Sequence, residues 1–234
     1  MKACALLGGP KSAWPDDLRQ QLQAAQAAGN LLIGVDRGSL LLLELGLVPD
    51  LALGDFDSLQ AAELRQVTSQ VPDIRYSNPV KDDTDSEVMI KAAFCDYQVS
   101  QLTLFGATGG RLDHALVNLL TVLQPDFRPW ARHIAICDRQ NLIHFYTPGV
   151  WTVSAAGYPY FGVANLLAVK GLTISGARYS LTRYQGDYPR MFASNEFLPD
   201  QPTFQLQLKA GLVAVIYSRD LVRFDHVNKK KSNR

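Results

Sequence analysis

The chain has 234 residues, of which 47% are hydrophobic, a size that suits two domains of roughly 130 and 100 residues, each with its own core. Its formal net charge of +1 provides no basic field for nucleic acid and no acidic excess typical of a disordered chain. Three cysteines without CxxC pairing indicate reduced thiols in a cytoplasmic protein, and no apolar run reaches the length of a membrane span.

Strand-like and helical runs alternate through the first half of the chain. Alternation of this kind predicts parallel βαβ units, with helices covering both faces of the sheet. The predicted strands are Ala3–Leu7, Leu31–Val35, Leu51–Leu53, Ile74–Tyr76 and Leu102–Phe105. The predicted helices begin at Asp16 or Asp17, Leu40, Leu59, about Thr84 and Asp113, and the last of them runs to Leu123.

Short strand-like runs separated by glycines follow residue 130. They are His133–Cys137, Leu142–Tyr146, Trp151–Ser154, Tyr160–Ala164, Leu166–Ile174, Phe204–Leu208 and Leu212–Tyr217. This spacing predicts an antiparallel sandwich, although the first run is equally able to pair with the edge of the parallel sheet. We therefore predict an α/β fold: a parallel, doubly wound domain over 1–130, an antiparallel β-sandwich domain over 131–226 and a basic tail over 227–234.

Asp55 and Asp57 form the acidic pair that follows the third predicted strand. In an extended segment, side chains two residues apart point to the same side, so both carboxylates face one space while Phe56 turns into apolar material. Two close carboxylates repel each other unless a cation lies between them, and magnesium is the usual ion. The alternative is a surface turn in which Asp57 or Ser58 caps the next helix.

A second acidic cluster, residues 81–87, follows the fourth predicted strand. Thr84 and Glu87 have the spacing of a capping box, which indicates a structural role for Glu87. Asp82, Asp83 and Asp85 have no structural role in this pattern. They are therefore the candidates for chemistry in this segment.

The acidic and glycine-rich segments all fall at carboxyl ends of predicted strands, where ligands bind in parallel sheets. Asp36 follows the second strand, and the glycine-rich segment Gly106–Arg111 follows the fifth. Glycines between a strand and a helix let backbone amides approach phosphate oxygens, and Arg111 is able to bind the same oxygens. Asp113 caps the following helix or accepts a hydrogen bond from a ribose hydroxyl or from Arg111, and a role for His114 is left open.

These motifs together resemble those of the bacterial thiamin pyrophosphokinase family. The resemblance covers most of the chain and rests on DRG at 36–38, PD at 49–50, GDFDS at 54–58, KDDTDSE at 81–87, GATGGRLDH at 106–114 and SNEF at 194–197. The family pattern often has a second glycine where Arg37 stands, so the role of that position is open. The resemblance implies an α/β catalytic domain followed by a β-sandwich, in a homodimer that holds thiamine where the subunits meet.

The resemblance also implies a reaction: transfer of a pyrophosphoryl group from ATP to the hydroxyl of thiamine, which gives thiamine diphosphate and AMP. Asp55, Asp57 and Asp85 would hold magnesium, and Asp36 would orient metal-bound water or the hydroxyl of thiamine. The residues implied to bind the nucleotide are Lys81, Asp82, Thr84, Gly109, Arg111 and Asp113. Those implied to bind thiamine are Ser194 and Asn195.

Aromatic stacking on thiamine by Tyr179 or Tyr184 competes with a role of these tyrosines in the sandwich core or rim. Two other functional classes remain possible. The first is a magnesium-dependent nucleotide phosphohydrolase, and the second is a nucleotide- or thiamine-sensing module without turnover. Neither alternative requires nucleic acid or a membrane.

Overall fold

The computed structural model describes residues 1–77 and 83–221 of the chain. Lys81, Asp82 and the predicted basic tail at 227–234 lie outside the described residues. Within the described ranges, no helix is both long and apolar enough to cross a membrane.

Within residues 1–77 and 83–137, six parallel strands and five α-helices form the first part of the fold. Apart from the edge strand β4, the strands are mainly apolar and buried, because helices cover both faces of the sheet. The strands are β1 Ala3–Leu6, β2 Leu31–Val35, β3 Leu51–Gly54, β4 Asp73–Tyr76, β5 Leu102–Phe105 and β6 Ile134–Cys137. The helices are α1 Leu18–Ala27, α2 Arg37–Glu44, α3 Ala61–Gln70, α4 Asp85–Lys91 and α5 Leu112–Leu120.

Eight antiparallel strands follow the parallel strands. They are β7 Asn141–Tyr146, β8 Gly149–Ser154, β9 Tyr160–Asn165, β10 Val169–Ser175, β11 Leu181–Gly186, β12 Arg190–Glu196, β13 Thr203–Leu208 and β14 Val213–Ser218. Four of them extend the parallel sheet, which has the order β12-β9-β14-β7-β6-β5-β1-β2-β3-β4, and the other four form a second sheet, β11-β10-β13-β8. The predicted fold class, α/β with a parallel part followed by an antiparallel sandwich, is confirmed.

One layer of the sandwich is thus continuous with the parallel sheet. The strand predicted at His133–Cys137 pairs in parallel with β5 as β6, and β7 then reverses direction against it. The sequence left open whether this strand pairs within the sandwich or with the edge of the parallel sheet. The observed pairing is with the parallel sheet. The domain boundary at residue 130 remains a prediction.

Aromatic side chains fill the space between the two sheets of the sandwich. The rings of Phe161 and Phe204 stack with their centroids 4.2 Å apart, and Phe197 packs against both. Phe161 and Phe204 are almost fully buried. This aromatic core joins the two sheets and positions the outer strands β11 and β12.

The element bounds differ from the prediction at several places. The helix predicted at Leu40 begins three residues earlier, at Arg37, and the helix predicted to reach Leu123 ends at Leu120 before a turn of 3-10 helix. The sequence analysis missed β11 and β12 altogether, because most of their side chains are exposed or half-buried and lack an apolar alternation.

Candidate active site

Three carboxylates from two neighbouring strand ends meet at the carboxyl edge of the parallel sheet. Asp36 follows β2, Asp55 and Asp57 follow β3, and one oxygen from each lies within 4.8 Å of the others. Gly54 favours this approach, because its φ is 147° and a Cβ atom at this position would lie in tight contact, 3.1 Å, with the backbone of Asp36. The sequence predicted the Asp55–Asp57 pair, whereas only the fold shows that Asp36 completes it.

The Asp55–Asp57 segment is a turn, so the predicted extended geometry is wrong. Phe56 has a φ of 57°, a left-handed conformation, and its ring is buried and packs edge-on against Tyr76 at 5.4 Å. The predicted inward orientation of Phe56 is confirmed, but the turn rather than strand alternation places both carboxylates on one side. Neither Asp57 nor Ser58 caps α3, since Gln60 and Glu63 form a capping box there.

Asp36 is held in an electrostatically unfavourable position. Its φ is 49°, and its Oδ1 atom is buried without a hydrogen-bond partner among the described residues. Burial raises the pKa of Asp36, and the charges of Asp55 and Asp57 raise it further, against hydrogen bonds from Ser58 and the Arg37 amide. A buried carboxylate oxygen next to two other carboxylates suits a hard divalent cation such as Mg²⁺.

Asp85 lies at the first position of α4 and lines the same cavity as Asp36 and Asp55. Its Oδ1 atom accepts a hydrogen bond of 2.6 Å from the Ser77 hydroxyl. In the described part of the chain, the close group of three carboxylates does not include Asp85. Its predicted role as a metal ligand therefore stays a prediction.

The capping box predicted at Thr84 and Glu87 is confirmed. Glu87 is buried, and its Oε2 atom accepts hydrogen bonds from the Thr84 amide at 2.7 Å and the Thr84 hydroxyl at 2.9 Å. Gln124 donates to the other oxygen of Glu87. Asp83, predicted to lack a structural role, instead pairs with Lys91 at 2.5 Å. Because the Thr84 hydroxyl already donates to Glu87, its predicted phosphate contact stays a prediction.

The glycine-rich segment 106–111 also lines this cavity, through all of its residues except Gly109, and the cavity has a volume of about 680 Å³. The Gly9 amide donates to the Gly106 carbonyl at 2.9 Å, and a Cβ atom on Gly9 would lie only 2.3 Å from that oxygen. The segments after β1 and β5 therefore lie side by side. The strand order reverses between β1 and β5, which is the usual ligand site of such sheets.

Arg111 and Asp113 form an exposed ion pair at the mouth of the cavity. Arg111 donates from Nε and Nη2 to the two carboxylate oxygens at 3.2 and 2.5 Å. The hydrogen bond from Arg111 lowers the pKa of Asp113. The sequence analysis considered a ribose hydroxyl and Arg111 as hydrogen-bond donors to Asp113. In the described residues, Arg111 is the donor. Gly109 precedes Gly110 in the same segment, and its predicted role in nucleotide binding stays a prediction.

Ser194 and Asn195 lie on β12, and the cavity that holds the carboxylates has no lining residue from this strand. Ser194 is exposed, with a φ of 58°. Asn195 is buried: its Oδ1 atom accepts from the Tyr179 amide at 3.0 Å, and its Nδ2 atom donates to the Tyr179 carbonyl at 2.7 Å. Tyr179 itself is 54% exposed, whereas Tyr184 packs edge-on against Phe192.

Two residues near the glycine-rich segment were missed by the sequence analysis. Asn118, buried on α5, donates to the Ala107 carbonyl at 2.9 Å. Asp138, which follows β6, accepts a hydrogen bond of 2.8 Å from the Thr108 hydroxyl. Asp138 lies at a strand end like the other acidic residues, but the sequence left its strand open between the sandwich and the parallel sheet, so this signal was overlooked.

The fold and the cavity define an α/β protein with an acidic cluster facing a glycine-rich segment at the switch point of a parallel sheet. Residues 22–134 match the family model described as the catalytic domain of thiamin pyrophosphokinase, and residues 152–213 match its vitamin B1 binding domain. The thiamine pyrophosphokinase of Bacillus subtilis is 30% identical over 216 residues, which cover 91% of this chain and 96% of that protein.

Solved structures agree with these matches. A thiamin pyrophosphokinase family protein from Enterococcus faecalis has 36% identity and a TM-score of 0.85, covering 94% of this chain and 100% of that one. The thiamin pyrophosphokinase from Geobacillus thermodenitrificans has 32% identity and a TM-score of 0.78, with coverage of 94% and 99%. This chain belongs to the thiamin pyrophosphokinase family, and it is an enzyme of the thiamine diphosphokinase class.

Proposed function

We propose that the enzyme transfers a pyrophosphoryl group from ATP to the hydroxyl of thiamine and releases AMP. The observation that carries this proposal is the single cavity in which Asp36 and Asp55 face Gly110 and Arg111. Its acidic wall suits a metal-bound polyphosphate, and its glycine-rich wall suits phosphate oxygens. Contacts on both sides of the β-phosphorus favour in-line attack at that atom, with AMP as the leaving group.

Asp55, Asp57 and Asp85 are proposed to hold Mg²⁺, with Asp36 beside them. The ion would neutralise the negative charge of the polyphosphate. The close approach of one oxygen each from Asp36, Asp55 and Asp57 supports a cation at this place. At the other wall, Asp113 orients the Arg111 guanidinium for contact with phosphate.

Asp36 is proposed to orient the hydroxyl of thiamine and to accept its proton. Its raised pKa supports this role, because a carboxylate that binds a proton more readily is a better general base near neutral pH. Its buried oxygen is able to accept the hydrogen bond that a hydroxyl donates. Asp36 would therefore act on the acceptor substrate, while the Mg²⁺ that the other carboxylates would hold neutralises the charge of the donor.

Thiamine is proposed to bind between two copies of the chain, in a cytoplasmic homodimer. Within one chain, the described cavity with the carboxylates has no lining residue from β12, although Ser194 and Asn195 belong to that strand. A second subunit that presents its Ser194 to this cavity would complete the site. Exposed Tyr179, held beside Asn195, is the better placed aromatic residue for contact with the thiazolium ring.

Mixing two impaired variants, assayed at a thiamine concentration below the KM of the Ser194 variant, tests the shared site. Asp55→Asn removes one carboxylate of the acidic cluster from one chain, and Ser194→Ala removes the β12 hydroxyl from the other. If each site uses both chains, mixed dimers regain part of the activity through hybrid sites. Inactivity of the mixture after verified subunit exchange, or full activity of a wild-type monomer, would contradict the shared site.

Product analysis tests the reaction itself. A single turnover with ATP, Mg²⁺ and thiamine should give AMP and thiamine diphosphate in equal amounts, and an ATP analogue with a non-cleavable α,β-link should inhibit without reacting. ADP with thiamine monophosphate would indicate attack at the γ-phosphorus. Nucleotide hydrolysis independent of thiamine would identify a phosphohydrolase, and binding without products a sensing module.

A further inference from the structure

Three consecutive residues of the glycine-rich segment are each anchored by a different part of the fold. The Gly106 carbonyl accepts from the Gly9 amide at 2.9 Å, after β1, and the Ala107 carbonyl accepts from Asn118 at 2.9 Å, on α5. The Thr108 hydroxyl donates to Asp138 at 2.8 Å, after β6. The next residues, Gly109 to Arg111, are the part of the segment expected to contact phosphate.

Asp138 is itself held rigidly. Its Oδ1 atom accepts from the backbone amides of Gln140 at 2.8 Å and Asn141 at 2.7 Å, and the Asn141 side chain donates to both carboxylate oxygens. These bonds order the turn between β6 and β7. The Asp138 oxygen that accepts from Thr108 is therefore held in place by the turn between β6 and β7.

Asp138 does not line the cavity that contains the carboxylates. It lines a separate cavity, together with Cys137 and Arg139, and among the described residues it is hydrogen-bonded to the glycine-rich segment through Thr108. An effect of Asp138 on nucleotide binding would therefore be transmitted by the Thr108 hydroxyl. The two residues are 30 positions apart in the chain.

We propose that Asp138 is a positioning residue for the phosphate-binding segment, which it holds in the nucleotide-binding conformation through Thr108. This inference rests on the proposed function, since it assumes that the segment binds the polyphosphate of ATP. An ordered loop binds its ligand more tightly because less conformational entropy is lost on binding. Loss of the Thr108–Asp138 bond would weaken ATP binding more than it slows the chemical step.

The decisive variants are Thr108→Val, which removes the donor and keeps the shape, and Thr108→Ser, which keeps the donor. Binding of the non-cleavable ATP analogue with Mg²⁺ should weaken about tenfold or more in Thr108→Val, the size expected for a lost hydrogen bond to a charged group. Thr108→Ser should restore most of the affinity. In steady-state assays of Thr108→Val, the rise in KM for ATP should exceed the changes in kcat and in KM for thiamine.

A double-mutant cycle assigns the effect to Asp138. Asp138→Ala should weaken analogue binding. The double variant Thr108→Val with Asp138→Ala should bind the analogue as well as the single variant of lower affinity does, because each substitution removes the same hydrogen bond. Gln140→Ala, which keeps the backbone amide that donates to Asp138 and removes only a side-chain bond to the Arg219 carbonyl, is the matched control and should bind nearly as the wild type does.

Two results would overturn the inference: unchanged binding in Thr108→Val, or additive losses in the cycle. If the wild type binds no ATP analogue, the proposed function fails as well. A wild type that binds the analogue and makes AMP, alongside an unaffected Thr108→Val variant, would refute the positioning role alone. Thermal unfolding of each variant confirms that the protein measured is folded.

Discussion

The carboxyl edge of the parallel strands and the interior of the sandwich use their side chains in opposite ways. At the edge, Asp36 has a positive φ, a buried oxygen without a partner in the described structure and two carboxylates nearby. In the sandwich, Phe161 and Phe204 stack face to face, and buried Asn195 uses both ends of its amide. The first region is arranged for a ligand, at a cost in stability, whereas the second is arranged for packing.

This contrast separates residues whose loss should abolish turnover from residues whose loss should unfold the protein. Strain and unpaired charge persist at the edge because the strands below it, such as β2 and β3, are buried and rigid. The sandwich positions Ser194 through strands that are themselves mostly exposed. Substitutions in the two regions should therefore differ in which measurement they change.

The largest effect is expected from Asp55→Asn and Asp57→Asn. Each change keeps the shape and removes one charge of the acidic cluster, so kcat should fall by about a thousandfold. The melting temperature without metal should change little, because the carboxylates repel one another. Asp50→Asn is the control: Asp50 accepts from the Leu32 amide at 2.8 Å, so this variant should lose stability rather than turnover. Near wild-type kcat in both cluster variants would refute the assignment.

Truncation of a side chain in the sandwich core should lower stability and leave nucleotide binding unchanged. Phe204→Ala removes a fully buried ring from the stack with Phe161 and should lower the free energy of unfolding by about 3–5 kcal/mol. Urea unfolding measures this loss. The fraction that remains folded should keep an intact acidic edge, so binding of the ATP analogue per folded chain should be preserved. A loss below about 1 kcal/mol would show that the aromatic core is not the main support of the sandwich.

Substitutions of the neighbouring residues Ser194 and Asn195 should differ in their effect on stability. Asn195→Ala removes the bonds to Tyr179 and should lower the free energy of unfolding by about 1–3 kcal/mol while raising KM for thiamine. Exposed Ser194→Ala should raise KM for thiamine with unchanged stability. Paired unfolding and kinetic measurements decide this, and equal stability of the two variants would remove the structural role given to Asn195.

The smallest effect is expected in the melting temperature of Asp36→Asn without Mg²⁺. Because its folded pKa is raised, ionisation of Asp36 disfavours the folded state above that pKa and has no effect once the group is protonated in both states. Without Mg²⁺, Asp36→Asn should therefore melt a few degrees above the wild type at neutral pH, and the gap should close towards about pH 4. Asp187→Asn, at an exposed position outside the acidic cluster, is the control and should leave the melting temperature at neutral pH nearly unchanged. A lower melting temperature for Asp36→Asn at neutral pH would contradict this electrostatic account.

The sequence by itself determined the βαβ alternation, the buried strands and the acidic and glycine-rich residues at strand ends, because these features depend on neighbours within a few positions. The capping box of Thr84 and Glu87 belongs to the same class, since its bonds lie within one helical turn. Strands β11 and β12 escaped detection because their exposed side chains leave no periodic apolar signal.

The tertiary structure decided what depends on long-range register and packing. It placed β6 in the parallel sheet, brought Asp36 to the Asp55–Asp57 turn and paired Asp138 with Thr108 across 30 residues. Such contacts are formed by the order of the strands in the sheet, which no local pattern encodes. For the same reason, only the fold shows that Asn195 is buried against Tyr179, while its neighbour Ser194 faces solvent.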